Sequence, residues 1–183
     1  MFYVISGAAG SGKTTLLPFL RQARPEVAWQ DFDERWTGGG RVERQELTQR
    51  WIETALEHGR AFGLLGQCPL GEVLAAPDAP RLEGIRHLLV DLSDVERIRR
   101  LMTRGDDQVT QETLNWAAWL RVHQVMPDWR PNVLMSGGWP AMRWERWHGR
   151  EADYWPGLTL NVSGLTPAES AERVLAWLDD LAD

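Results

Sequence analysis

Cysteine is almost absent from this chain of 183 residues: Cys68 stands alone. No internal disulfide can form, and with no histidine near it in sequence Cys68 reads as a small buried residue rather than a nucleophile. Long apolar runs are missing as well. No stretch approaches the roughly 18 apolar residues of a membrane-spanning helix, and the N-terminus enters an apolar run with no basic leader or cleavage-like site. The expectation is therefore a cytoplasmic protein with no membrane partner. An excess of positive charge is also lacking, since 20 basic residues face 26 acidic ones for a net −6. That balance argues against broad electrostatic binding to nucleic acid, while a local basic site stays open. No internal repeat or low-complexity segment is visible. What is present, 25% charged and 43% hydrophobic residues, suits one globular domain over 1–183 with a substantial core.

The first informative stretch is "GAAGSGKTT", Gly7 to Thr15. Its spacing Gly7-x4-Gly12-Lys13-Thr14 fits the phosphate-binding P-loop. There the backbone N–H groups of a loop such as Gly7, Ala9, Gly10, Ser11, Gly12 and Thr15 wrap a phosphate chain, Lys13 reaches its outer phosphates and the Thr14 hydroxyl ligates Mg²⁺. Context strengthens the motif. "FYVIS" before it is a short β-type run and "KTTLLPFLRQA" after it reads as a helix, so the loop stands at a strand-to-helix junction with a helix N-terminus facing the anion. An ordinary Gly-rich turn would not need a lysine followed by two hydroxyls. ATP is the expected nucleotide, with GTP possible, together with Mg²⁺.

Strand and helix patterns alternate along the rest of the chain. "EVAWQDFD" is a second strand and "RVERQELTQRWIETALEHG" a helix with apolar residues at helical spacing. "AFGLLGQ" is a third strand. A loop rich in Pro and Ala (69–80) leads to a fourth strand, "IRHLLVD", and Ser93 with Glu96 forms a capping-box pattern opening the next helix. "LTLNV" is a fifth strand, followed by Thr166-Pro167-Ala168-Glu169, an N-cap, an N1 proline and a capping-box glutamate. This alternation predicts an α/β fold with a parallel sheet covered on both faces and a ligand site at the carboxyl ends of the strands.

The order of these pieces, with the P-loop first, acids closing strand two, arginines on the helix after strand four and a short final strand and helix, resembles the small P-loop kinases: shikimate, gluconate and adenylate kinase. The resemblance covers nearly the whole chain in layout, with the P-loop as its specific part. It implies the P-loop NTPase fold, a five-stranded parallel sheet in the kinase-type order 2-3-1-4-5. It also implies a phosphotransferase that moves the γ-phosphate of Mg-ATP to a small-molecule or nucleotide acceptor. In kinases that carry Asp-x-Asp at the end of strand two, the first acid holds a Mg²⁺-bound water and the second binds the acceptor hydroxyl. Carried onto "QDFDE", those are Asp31 and Asp33, and both roles suit oxygen donors. The plain alternative is that the two acids solubilise a turn. Asp91, in "HLLVDLSD", fits a Walker-B-like pattern but reads as a strand-end residue, because the resemblance puts that role on strand three, which ends "LLGQC". Gln67 falls where such kinases meet their acceptor.

Phosphoryl transfer spreads negative charge over the moving group, so cations must close over it. Arg100 and Arg104 lie one helical turn apart, and Arg121 follows in a segment whose run from Arg104 to His123 echoes the lid of adenylate kinase. The expected lid-like segment is about 100–125, with Arg100 on the nucleotide and Arg104 and Arg121 catalytic beside Lys13 and Asp33. Surface solvation is the other reading for such arginines.

Tryptophan is in excess: eleven Trp against six Phe and Tyr together, seven of them crowded into a Trp-rich segment at about 114–157. Packing by large amphipathic rings explains most of them. A sharper reading, an aromatic wall for a base or planar substrate, draws on Arg143, Arg146 and Arg150 among the rings of "GGWPAMRWERWHG". His148 is the histidine most suggestive of a site, though a lone histidine is more often structural. A regulatory GTPase is excluded by the lack of an Asn-Lys-x-Asp segment and of an Asp-x-x-Gly switch. The remaining alternative is a P-loop ATPase acting with nucleic acid or a protein partner.

Overall fold

The computed structural model describes residues 1–105, 107, 109–150, 155 and 157–180. Five strands, β1 (Phe2–Ser6), β2 (Ala28–Asp31), β3 (Phe62–Gly66), β4 (Ile85–Asp91) and β5 (Gly157–Asn161), form one sheet in the order β2-β3-β1-β4-β5. Every neighbouring pair is parallel, with Phe2–Ser6 in register against 62–66 on one side and 85–89 on the other. The expected strand order is therefore the observed one. Parallel strands buried on both faces need apolar residues at nearly every position, and all five residues of β3 are buried.

Side chains alternate between two helical layers. Ile5, Leu65, Leu88 and Val90 face α1 (Lys13–Ala23) and α7 (Pro167–Asp179), which contribute Leu16, Leu17, Leu20, Val174 and Leu178. Phe2, Val4, Phe62 and Leu64 face α2 (Arg41–His58), which brings Leu47, Trp51 and Ile52. The period of two along each strand sorts one strand's residues into both cores. A third cluster joins Ala8, Leu89, Trp119, Leu134 and Trp147. It gathers α3 (Leu70–Ala75), α5 (Gln111–His123) and α6 (Asn132–Met135), with α4 (Asp94–Arg104) completing the helices of the described residues.

Three expectations need correction. The Pro- and Ala-rich loop at 69–80 contains α3, whose Leu70, Val73 and Ala75 are fully buried. Six residues are under two turns, too short to show a period in sequence. Its end is capped from far along the chain: Arg146 donates to the carbonyls of Leu74 (3.3 Å), Pro77 (3.0 Å) and Ala76, the groups a helix terminus leaves without internal partners. Strand two stops at Asp31 instead of running through Asp33, because the Asp31 carboxylate accepts from the Asp33 N–H at 3.0 Å and caps a short 3-10 turn over Phe32–Arg35. At α4 the capping box is half-formed. The Ser93 hydroxyl accepts from the Glu96 N–H (3.3 Å), but the Glu96 carboxylate turns to the Gly164 N–H (2.8 Å). At α7 both halves form between Thr166 and Glu169.

Close contact fixes one register. Trp29 and Gly63 are cross-strand partners, and a Cβ on Gly63 would lie 2.0 Å from the Trp29 ring. Gly63→Ala is expected to lower stability by about 2 kcal/mol, the range of an overpacked core. Combining it with Trp29→Leu should recover part of that loss in a urea-denaturation double-mutant cycle; strictly additive losses would contradict the contact.

Candidate active site

The loop after β1 turns back under the sheet's carboxyl edge, where the Gly7 N–H donates to the Gly66 carbonyl at 3.2 Å. Gly10 (φ 77°) and Gly12 (φ 89°) are left-handed, a conformation that side chains resist. A Cβ on Gly7 would stand 2.5 Å from both the Val90 carbonyl oxygen and the Ser11 hydroxyl. Lys13 opens α1 and folds over the loop, donating to the Ala8 carbonyl (3.1 Å) and the Ser11 hydroxyl (3.3 Å). Burial pulls its amine down to about 8, an effect that the Asp33 carboxylate partly offsets.

At the tip of β2 the Thr14 hydroxyl donates to an Asp31 carboxylate oxygen at 3.1 Å. A hydroxyl and a carboxylate side by side at the mouth of a P-loop are a hard-oxygen donor set, which fits Mg²⁺ completed by water and phosphate oxygens. The 3-10 turn aims Asp33 into the same space. Burial raises its carboxyl pKa, neighbouring Asp31 raises it further and Lys13 opposes both.

Three clefts meet here. The smallest, about 140 Å³, is the phosphate pocket, lined by the P-loop with Asp31, Asp33, Gln67 and Arg104. Beside it a cleft of about 390 Å³ lies between Gly10, Gly12, Arg100, Arg104 and Pro167. On the other side a cleft of about 540 Å³ opens, walled by Phe32, Trp36, Arg41, Arg44, Glu112 and Trp116. It shares Ala9, Asp33 and Gln67 with the phosphate pocket.

The structure thus gathers the P-loop, Asp31, Asp33, Gln67 and Arg104 around one point, with Arg100 on the wall of the adjoining cleft and paired to Glu96. It does not bring Arg121 there. Its guanidinium lies 2.7 Å from Asp91 and is also paired to Asp94, so two carboxylates claim it and it is absent from the lining of the phosphate pocket. Asp91 is likewise engaged, its other oxygen paired to Arg97. His148 pairs with Asp128 at 2.5 Å and lines none of the three clefts. The Trp-rich segment mostly packs: Trp119 stacks on Trp116 (5.2 Å) and on His123 (4.5 Å), and Trp147 is fully buried. Parts of the expected lid (106, 108) and of the Trp-rich segment (151–154, 156) lie outside the described residues.

Sequence reasoning passed over Trp36, Arg41, Arg44 and Arg97. The first three had a signal in the glycines 38–40 followed by Arg-x-x-Arg at a helix start. Arg97 had none, because its role is tertiary. Its fully buried guanidinium donates to the Ala9 carbonyl at 2.7 Å and pairs with Asp91.

No family model matches the chain, and no curated protein does either. Solved structures do. Thymidylate kinase from Candida albicans superimposes with a TM-score of 0.61 at 10% identity over 99% of this chain and 92% of its own. A sugar kinase from Janibacter sp. HTCC2649 gives 0.55 at 15% over 97% and 94%. Shikimate kinase from Aquifex aeolicus gives 0.53 at 14% over 100% and 98%. The chain has the P-loop kinase fold. No helix among the described residues is long and apolar enough to cross a membrane.

In this P-loop kinase-like chain, Arg97→Met should cost about 3 kcal/mol, the scale for breaking a buried ion pair. It should also weaken nucleotide binding, since the Ala9 carbonyl loses its donor. Denaturant unfolding and calorimetric titration with an ATP analogue check the two effects. Unchanged affinity in a folded variant would show that the P-loop holds its shape without Arg97.

Proposed function

We propose that this protein transfers the γ-phosphoryl group of Mg-ATP to a hydroxyl of a small acceptor. The observation that carries the reading is the junction at Asp33 and Gln67, where the phosphate pocket opens directly into a second, larger cleft. A simple hydrolase needs room only for water; a transferase needs a place for the acceptor beside the γ-phosphate. Similarity to kinases that differ in acceptor agrees with a common nucleotide half and a variable second half.

In this reading the P-loop N–H groups and Lys13 hold the phosphate chain, and Arg100 flanks the nucleoside in the cleft beside Gly12. Thr14 and Asp31 hold the Mg²⁺ whose charge offsets that of the phosphates. Asp33 accepts a hydrogen bond from the acceptor hydroxyl and takes its proton as the new oxygen–phosphorus bond forms and the bond to the β-phosphate oxygen breaks, leaving ADP. Arg104, on the pocket wall, spreads the charge of the moving group. Arg121 contributes by bracing α5 against Asp91 and Asp94.

Lys13→Ala should abolish turnover with the fold retained. Asp33→Asn should lower transfer roughly a hundredfold or more while ATP affinity stays within about twofold. The test is product identification with ATP over nucleosides, nucleotides, sugars and oligonucleotides. Hydrolysis at full rate with no acceptor, stimulated by an oligonucleotide and indifferent to Asp33→Asn, would replace this reading with a nucleic-acid-associated ATPase.

Two pH effects follow. Transfer needs Asp33 ionised, so activity falls as pH drops through its raised pKa, placing the acid limb above that of an ordinary aspartate. ATP binding needs Lys13 charged, and its amine in the free protein titrates at about 8. Affinity should therefore hold below that pH and weaken above it, by up to about tenfold per unit, an effect absent in Lys13→Met.

A further inference from the structure

The 540 Å³ cleft has two arginines on its wall, Arg41 and Arg44, and would at first sight suit an anionic acceptor. The partners of these groups point the other way. Arg44 is ion-paired to Glu72, which is fully buried and also accepts from the Thr48 hydroxyl at 2.8 Å. The rest of its guanidinium donates to the Gln67 carbonyl (3.2 Å) and faces the Trp116 ring at 5.6 Å. Arg41 donates to the Ser136 carbonyl. The first turn of α2, another potential anion seat, is filled by the chain's own carboxylate: Glu43 accepts from the Gly40 N–H at 2.8 Å. Burial pushes the Glu72 carboxyl up, and its contact with Arg44 opposes that.

Against these engaged cations stand two further carboxylates on the lining, Asp33 and Glu112. An entering phosphate or carboxylate would meet two acids on the wall, with Glu72 buried behind Arg44, and two guanidiniums that already have partners. Like charges brought together at a binding site weaken binding. The remaining wall is flat and apolar, made of the Trp36 and Trp116 indoles with Phe32. Indole faces stack on planar rings or on the C–H face of a sugar, while carboxylates and an amide collect hydroxyl protons.

We propose that this cleft takes an uncharged, hydroxyl-rich acceptor with one flat apolar face, a glycoside or a nucleoside, and discriminates against acceptors bearing phosphate or carboxylate. The proposal rests on the phosphotransferase reading for the fate of the bound molecule. It differs in chemistry from an acceptor such as a nucleoside monophosphate, whose phosphate would need an uncommitted cation at this wall.

The test is titration of the full chain, loaded with Mg²⁺ and a non-hydrolysable ATP analogue, followed by tryptophan fluorescence. The probes are matched pairs: nucleosides against their 5′-monophosphates, and methyl hexosides against the corresponding uronic acids and hexose 6-phosphates. At least one neutral probe is expected to change the fluorescence and to bind roughly tenfold or more tightly than its anionic counterpart. Trp116→Leu should weaken that neutral probe about fivefold. Glu72→Gln, which releases Arg44, should narrow the gap within the pair. Because Glu72 is buried, the exposed Glu43→Ala, which uncovers the Gly40 N–H, serves as the second variant with the same expected direction. Tighter binding of the anionic member in every pair that binds, or no neutral probe binding at all, overturns the proposal. Neutral binding without phosphoryl transfer from ATP would keep this inference and remove the phosphotransferase reading.

Discussion

A single buried guanidinium joins parts of this fold that apolar packing alone would leave to drift. Arg97 reaches from α4 to the Ala9 carbonyl inside the P-loop and to Asp91 at the end of β4. The second oxygen of Asp91 then takes Arg121 from α5. A cation buried to this depth is tolerable only when it is paired, and the two terminal nitrogens of Arg97 meet the Ala9 carbonyl and the Asp91 carboxylate. The geometry is therefore strict: the phosphate loop, the last residue of a central strand and two helices must meet at one point. Of these helices α4 lines the 390 Å³ cleft and α5 the 540 Å³ cleft, so the two share a mechanical base.

What the sequence made legible is what is local. The β1–loop–α1 unit was readable because its glycines and hydroxyls serve adjacent backbone, and the sheet order followed once the layout resembled a known class. Asp31 and Asp33 were readable as a pair, yet their convergence depends on the 3-10 turn that Asp31 itself caps. Helix α3 was hidden, being too short for a period and terminated by Arg146, about seventy residues away in sequence. The placement of Arg121 was hidden for a related reason. Its charge and helical position suited the phosphates, but Asp91 and Asp94 stand nearer, and only the packing of α5 on β4 reveals that.

The tryptophans divide by the same logic. Trp119 and Trp147 fill the third core together with His123, whose ring is kept neutral by burial, its pKa lowered to about 3. Trp116, stacked on Trp119 and faced by the Arg44 guanidinium, also lines the 540 Å³ cleft. A rigid stack behind a half-exposed indole gives a platform that loses little freedom when a ligand settles on it. The aromatic excess thus serves structure first, and one member of the stack also lines a cleft.

The chain's basic residues are all arginine except one, and that one is Lys13. Its single side-chain amine therefore lies inside the phosphate pocket, with a proton affinity low enough for the free base to be populated near pH 8. Amine-directed acylating reagents find no competing lysine on the surface, so covalent labelling of this side chain and its protection by a bound molecule report directly on whether the pocket is filled.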